Sequence, residues 1–125
     1  AESEWPALLT ELPGWRIERR DGIPRLVRTF PFPSWRACLR FAQAVGELAE
    51  AEDHHPEIAI RWGEVEVSWW THAVKGLHRN DFVLAARCDR LAGSTGALAR
   101  TSAVALAVGS SGSYEGSSSG ISEAR

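Results

Sequence analysis

The chain has 125 residues, enough for one domain with a single core and too few for two. Its hydrophobic fraction of 44% and charged fraction of 24% are those of a soluble globular protein. A formal net charge of −2, with basic residues scattered along the chain, excludes the strong positive field that direct binding of nucleic acid or anionic lipid needs.

Residues 4–12 are predicted as a short helix with Leu8, Leu9 and Leu12 on one side. Pro6 falls in its first turn, where the missing N–H does no harm, and Pro13-Gly14 stops it. Trp15, Ile17 and Arg19 then alternate with Arg16, Glu18 and Arg20, a strand pattern. Asp21-Gly22 signals a hairpin turn, and residues 25–32 return as a second strand with Leu26 and Phe30 on one face. Ser34 is a good N-cap. Beyond it Cys38, Phe41, Ala42, Val45, Leu48 and Ala49 recur at spacings of three and four, which predicts an amphipathic helix running to Glu52 or Asp53. Pro56 breaks that pattern. Ile58, Ile60 and Trp62 alternate with Glu57, Ala59 and Arg61, and Gly63 permits a turn. Val65, Val67 and Trp69 alternate with Glu64, Glu66 and Ser68, completing a second hairpin with one apolar face. A last helix follows Gly76-Leu77, with Leu84, Ala85, Cys88, Leu91 and Ala92 on one stripe. Asp81 sits in its first turn, where a carboxylate suits the helix dipole.

Two hairpins, each with one apolar face, combine most economically into one sheet. The expected fold is α+β: a four-stranded antiparallel sheet with three helices packed on one face. The domain is expected over residues 1–92, with 93–125 as a C-terminal extension. Residues 97–108 are apolar enough to dock as a helix or an edge strand. Ten of the twelve residues at 109–120 are Gly or Ser, so the chain is expected to be flexible after about residue 108. Cys38 and Cys88 fit no Cys-x-x-Cys pattern and read as buried reduced thiols. No stretch is long and apolar enough for a bilayer, and the acidic start lacks a signal-peptide pattern. A cytoplasmic protein with no membrane partner is expected.

The densest polar cluster is Glu50-Ala51-Glu52-Asp53-His54-His55-Pro56, at the exit of the long helix. His72 ends the fourth predicted strand, just after Trp69-Trp70-Thr71. Strands three and four pair about Gly63, so the start of one lies opposite the end of the other. His54, His55 and His72 therefore gather at one end of the sheet, and Asp81 reaches the same end after a short loop. Loops at the ends of rigid elements are where sites are usually built.

Three imidazoles first suggest zinc. Neighbours on an extended segment point to opposite sides, which opposes joint ligation by His54 and His55, and the spacing matches no zinc motif. No metal site is expected. Nucleophilic catalysis has less support: neither cysteine lies near the cluster and Ser68 has no signature around it. The Gly-rich stretch of the tail precedes no helix, so it is no phosphate loop. General acid–base work fits best. Imidazole titrates near pH ~6.5, so donor and acceptor forms coexist in a cell. Carboxylates such as Glu50 and Asp53 can fix tautomers or favour the protonated ring.

The intervals carry a further signal. Glu50, three positions, His54-His55-Pro56, five positions, Trp62, nine positions, His72 and then Asp81 reproduce a signature in which every spacing agrees. Thr71-His72, Gly76-Leu77 and Asn80-Asp81-Phe82 add to it, and Phe30-Pro31-Phe32 lends weaker support. In these residues the chain resembles the pterin-4a-carbinolamine dehydratases, over nearly all of residues 1–92 and none of the tail.

The resemblance implies an α+β fold of the kind derived above. It implies removal of water from 4a-hydroxytetrahydropterin to give the quinonoid dihydropterin, without a cofactor, recycling the pterin spent by aromatic amino-acid hydroxylases. It makes His54, His55 and His72 the acid–base groups. His54 and His72 act around the C4a hydroxyl and His55 anchors substrate, with Glu50, Asp53, Trp62 and Asp81 lining or supporting the site. Assembly as a homodimer or homotetramer is implied as well. Two departures stand out. His78 replaces a Thr that often caps the last helix together with Asp three residues on, so a less firm helix start is expected. Ile58 replaces a common aromatic, loosening one expected wall of the pterin pocket. The same fold also serves transcription-factor dimerisation cofactors and Rubisco assembly factors, which leaves a non-catalytic interaction protein as the alternative. The presence of all three histidines favours the enzyme, while the C-terminal extension would suit a partner.

Overall fold

The computed structural model describes residues 1–98. The expectations for residues 97–108 and 109–120 therefore fall wholly or largely outside the described residues. A 3₁₀ turn at Glu2–Glu4 leads into α1 (Trp5–Leu9), followed by β1 (Arg16–Arg20), β2 (Ile23–Pro31) and α2 (Trp35–Glu52). Next come β3 (Glu57–Arg61), β4 (Glu64–Trp69), a 3₁₀ turn at His72–Val74 and α3 (Arg79–Thr95).

The local reasons are those of the sequence. Asp21 and Gly22 both take positive φ, 54° and 78°, as a tight hairpin turn between β1 and β2 requires. The Ser34 side chain accepts the Ala37 N–H at 3.1 Å and so starts α2. Ala37, Cys38, Phe41, Val45, Leu48 and Ala49 form the buried stripe of that helix. The helix α3 continues past Ala92, where the sequence reading ends the domain, to a left-handed cap at Gly96. The Leu98 N–H then donates to the Pro31 carbonyl at 2.8 Å, tying this end of the chain to β2.

The strands form one antiparallel sheet in the order β1-β2-β4-β3. Leu26, Phe30, Val65, Val67 and Trp69 are buried on one face, beneath α2 over β3 and β4 and α3 over β2 and β4. The fold is the expected α+β architecture. Phe30, Phe32 and Phe41 cluster at its centre, with ring centroids 4.7 and 5.1 Å apart for the pairs that share Phe41. Arg28 also lies in the helix-facing row, and is accommodated because its guanidinium donates to Asp89 of α3 at 2.8 Å. Trp15 donates to the same carboxylate oxygen at 2.9 Å. A Cβ at Gly14 would stand 2.5 Å from the Arg28 guanidinium carbon, so a side chain there would displace that guanidinium.

The opposite face carries a charged network. Glu18 pairs with Arg16 and Arg20, and the hydrogen bonds from Arg20 and then Arg16 hold its carboxyl below the usual range. Glu66 joins Arg16 and Arg20, and Arg61 pairs with Glu64 at 2.7 Å. Among the described residues no helix is long and apolar enough to cross a membrane.

Candidate active site

The site begins where α2 stops. Asp53 adopts a left-handed conformation (φ 51°), and the His54 N–H reaches back to the Ala49 carbonyl at 3.1 Å. Asp is one of the few residues besides glycine that takes this conformation readily. Asp53 thus serves as the helix cap that fixes the exit direction of His54, and no hydrogen bond joins its carboxylate to an imidazole among the described residues.

His54 turns inward. Its Nε2 lies 2.8 Å from Asp81 Oδ1 and 3.2 Å from the Trp70 carbonyl oxygen. Both partners are acceptors, so Nε2 carries the hydrogen and Nδ1 of the neutral ring is left as the proton-accepting nitrogen. Asp81 is fully buried. Its other oxygen accepts from the Thr71 hydroxyl and from the His78 N–H, both at 2.8 Å. A buried carboxylate met by three donors satisfies the demand that burial makes of a polar group. The Trp69 ring meets His54 edge-on at 5.6 Å, and its indole N–H donates to Cys88 Sγ at 3.3 Å. Burial pushes the Cys88 thiol up to about 12, so it is a packing partner and not a nucleophile.

His55 points the other way, as alternation predicts. Its side chain is exposed and its Nε2 lies 3.1 Å from Glu50 Oε1, also at the surface. The register Glu57↔Ser68 sets the start of β3 against the end of β4, which brings the His54 and His72 segments to one end of the sheet. His72 opens a short turn closed by two backbone hydrogen bonds between Thr71 and Gly76, at 2.7 and 3.3 Å. Its ring lies 4.8 Å from that of Trp70.

Not every expected residue joins this cluster. Trp62 sits with Gly63 in the hairpin turn, at the far end of β3 from His54 and His55, and is largely exposed. Ile58 packs against the core from β3. His78 caps α3 fully, contrary to the expectation of a less firm start. Its Nδ1 accepts the Asn80 N–H at 3.1 Å while Asp81 accepts the His78 N–H, so the imidazole does what a hydroxyl does in a capping box. Sequence reasoning missed Trp70 and Thr71 as members of the site, whose carbonyl and hydroxyl meet His54 and Asp81. Strand parity was the available signal: Thr71 continues the inward row of Trp69, whereas Trp70 and His72 continue the outward one. A recess of about 340 Å³ lined by Trp5, Arg19, Pro24, Lys75 and Leu77 lies beside the His72 turn but touches none of the three imidazoles. Among the described residues no three His, Cys, Asp or Glu side chains are grouped to hold a metal ion.

The sequence profile of the Pterin 4 alpha carbinolamine dehydratase family matches residues 1–91. The chain belongs to that family. It is 58% identical over 91 residues to a Chlorobium luteolum protein named provisionally as a pterin-4-alpha-carbinolamine dehydratase, covering 73% of this chain and 80% of that one. Among solved structures it is similar to a transcriptional coactivator/pterin dehydratase of Brucella melitensis, with TM-score 0.66 and 30% identity over 74% of this chain and 96% of the other. It is also similar to a pterin dehydratase-like protein described as a RuBisCO assembly factor in the alpha-carboxysome, with TM-score 0.55 and 27% identity over 64% and 90% of the two chains. Family membership supports a lyase acting on a pterin, and His54, His55 and His72 all lie inside the matched region.

Proposed function

We propose that this protein dehydrates 4a-hydroxytetrahydrobiopterin by general acid–base catalysis, with His54 and His72 as the proton-transfer groups and His55 at the rim holding substrate. The C4a–O bond breaks and the hydroxyl leaves as water after gaining a proton. The N5 proton is lost to a base and a C4a=N5 double bond forms, giving the quinonoid dihydropterin. Both halves of the step are proton transfers, which suit imidazole near neutral pH.

The observation that carries this reading is the buried Asp81 holding His54 by Nε2. It commits one ring nitrogen to the protein and turns the other toward chemistry, the logic by which a carboxylate orients a catalytic histidine. When Nδ1 gains a proton, the resulting positive charge lies beside that carboxylate. Glu50 plays a looser, exposed version of the same part for His55. Asp53 acts through the backbone, and Trp62 belongs to any pterin contact only outside this cluster. We place the protein in the cytoplasm, recycling the pterin of an aromatic amino-acid hydroxylase. Two unpaired buried cysteines support that compartment.

The similarity to a RuBisCO assembly factor favours a second reading, a non-catalytic scaffold. Stopped-flow dehydration of synthetic 4a-hydroxytetrahydropterin separates the two. The wild-type chain accelerates the reaction well above buffer, and His54→Ala or His72→Ala lowers kcat by about 10²- to 10⁴-fold. A wild-type trace that coincides with buffer overturns the enzyme and leaves the scaffold.

A further inference from the structure

We propose that Trp70 and Arg25 form a platform that orients the His72 imidazole, and that both are positioning residues for the acid–base step. The proposal rests on the dehydratase reading of this site and adds residues that the motif does not contain.

The three histidines are held in different ways. His54 and His55 are each oriented by a carboxylate. His72 has no hydrogen bond from its ring to any described residue, although it stands on an exposed turn. A surface imidazole without a partner samples several rotamers. What His72 has instead is an aromatic contact: its ring lies on Trp70 with centroids 4.8 Å apart and planes tilted by 41°.

Trp70 is itself fixed. The Arg25 guanidinium carbon stands 4.0 Å from the centre of its ring, a cation–π geometry. Arg25 comes from β2 with its side chain only 13% exposed, and its Nη1 donates to Glu57 of β3 at 2.9 Å. Glu57, Arg25, Trp70 and His72 thus form a continuous line across the open face of the sheet. Trp70 serves both imidazoles, because its carbonyl accepts the His54 Nε2–H while its indole carries His72. The chemical consequence is specific. A carboxylate orients an imidazole by occupying one nitrogen. A tilted ring contact orients the imidazole and leaves both nitrogens of His72 without a hydrogen bond to any described residue, open to exchange protons with substrate.

The test follows the imidazole resonances of the full chain by NMR together with stopped-flow kinetics, in Trp70→Leu, Trp70→Phe, Arg25→Gln and Arg25→Lys. In Trp70→Leu the His72 ring signals lose the indole ring-current shift while those of His54 stay in place. Its kcat falls by about ten- to a hundredfold, the scale of a misplacement near 1 Å, with KM little changed. Trp70→Phe and Arg25→Lys retain most of both properties, and Arg25→Gln moves the His72 signals in the same direction as Trp70→Leu but by less. Should Trp70→Leu fail to fold, the Arg25 pair carries the test. His72 signals unmoved in both Trp70→Leu and Arg25→Gln, or wild-type kcat in Trp70→Leu, overturn the platform. A wild-type chain without dehydratase activity overturns the reading beneath it instead, and the His72 signals then decide the platform alone.

Discussion

Asp81 concentrates more of the site than any other side chain. One of its oxygens holds His54, and the other gathers the Thr71 hydroxyl and the α3 cap. An amide cannot replace it. Asn at this position turns its NH₂ toward a donor, either the His54 Nε2–H or the Thr71 and His78 donors, whichever way it is flipped. Asp81→Asn is therefore expected to cost about 1–3 kcal/mol in urea unfolding and to release the His54 tautomer. The nitrogen chemical shifts of His54 check the second part, and an unchanged tautomer would separate Asp81 from the function of His54. This pairing was only half legible in the sequence. Hairpin pairing places Asp81 at the correct end of the sheet, but in sequence the nearer carboxylates Glu50 and Asp53 are equally suited to orient a histidine. Asp53 is taken by the left-handed cap and Glu50 faces the exposed ring. Only folded geometry distinguishes a carboxylate 27 residues away from one beside the imidazole.

At the scale of elements, local chemistry read well and non-local pairing did not. Ser34 with its run of apolar residues at helical spacing predicted α2 almost to the residue, because cap and periodicity agree there. Ser34→Ala is expected to lower stability by about 1 kcal/mol, seen as a shifted denaturation midpoint with an unchanged slope. Trp62 was drawn into β3 because it continues the alternation of Ile58 and Ile60. A two-residue turn with Gly63 at φ 84° removes it, and alternation alone carries no mark of where a turn begins. The apolar stripe stops at Ala92, where the sequence reading ends the domain, but α3 runs on to Thr95, whose hydroxyl donates back to the Leu91 carbonyl at 2.7 Å. The pairing of β2 with β4 lies outside either hairpin. It depends on which apolar faces meet, and it sets Arg28 among buried residues where sequence shows only a charge.

At the scale of the molecule, helices cover one face of the sheet and a charged network covers the other, with β1 and β3 as its edges. The pairs of that network are too exposed to contribute more than about 1 kcal/mol each. Edges without a strand partner among the described residues invite a second copy, in line with the dimer or tetramer that the family resemblance implies. Light scattering at micromolar concentration is expected to give two or four times the chain mass, and a stable monomer would contradict that assembly. One end of the sheet, where a helix exit, a strand end and a helix start meet, carries the His54 and His72 segments, and the proposed function places the proton transfers there. The most direct measurement is the single-turnover dehydration rate of His54→Ala, with and without added imidazole, on a variant shown to melt like the wild type. The expected rate is about 10²- to 10⁴-fold below wild type and is partly restored by free imidazole. A His54→Ala protein that dehydrates the pterin as fast as the wild type would contradict it.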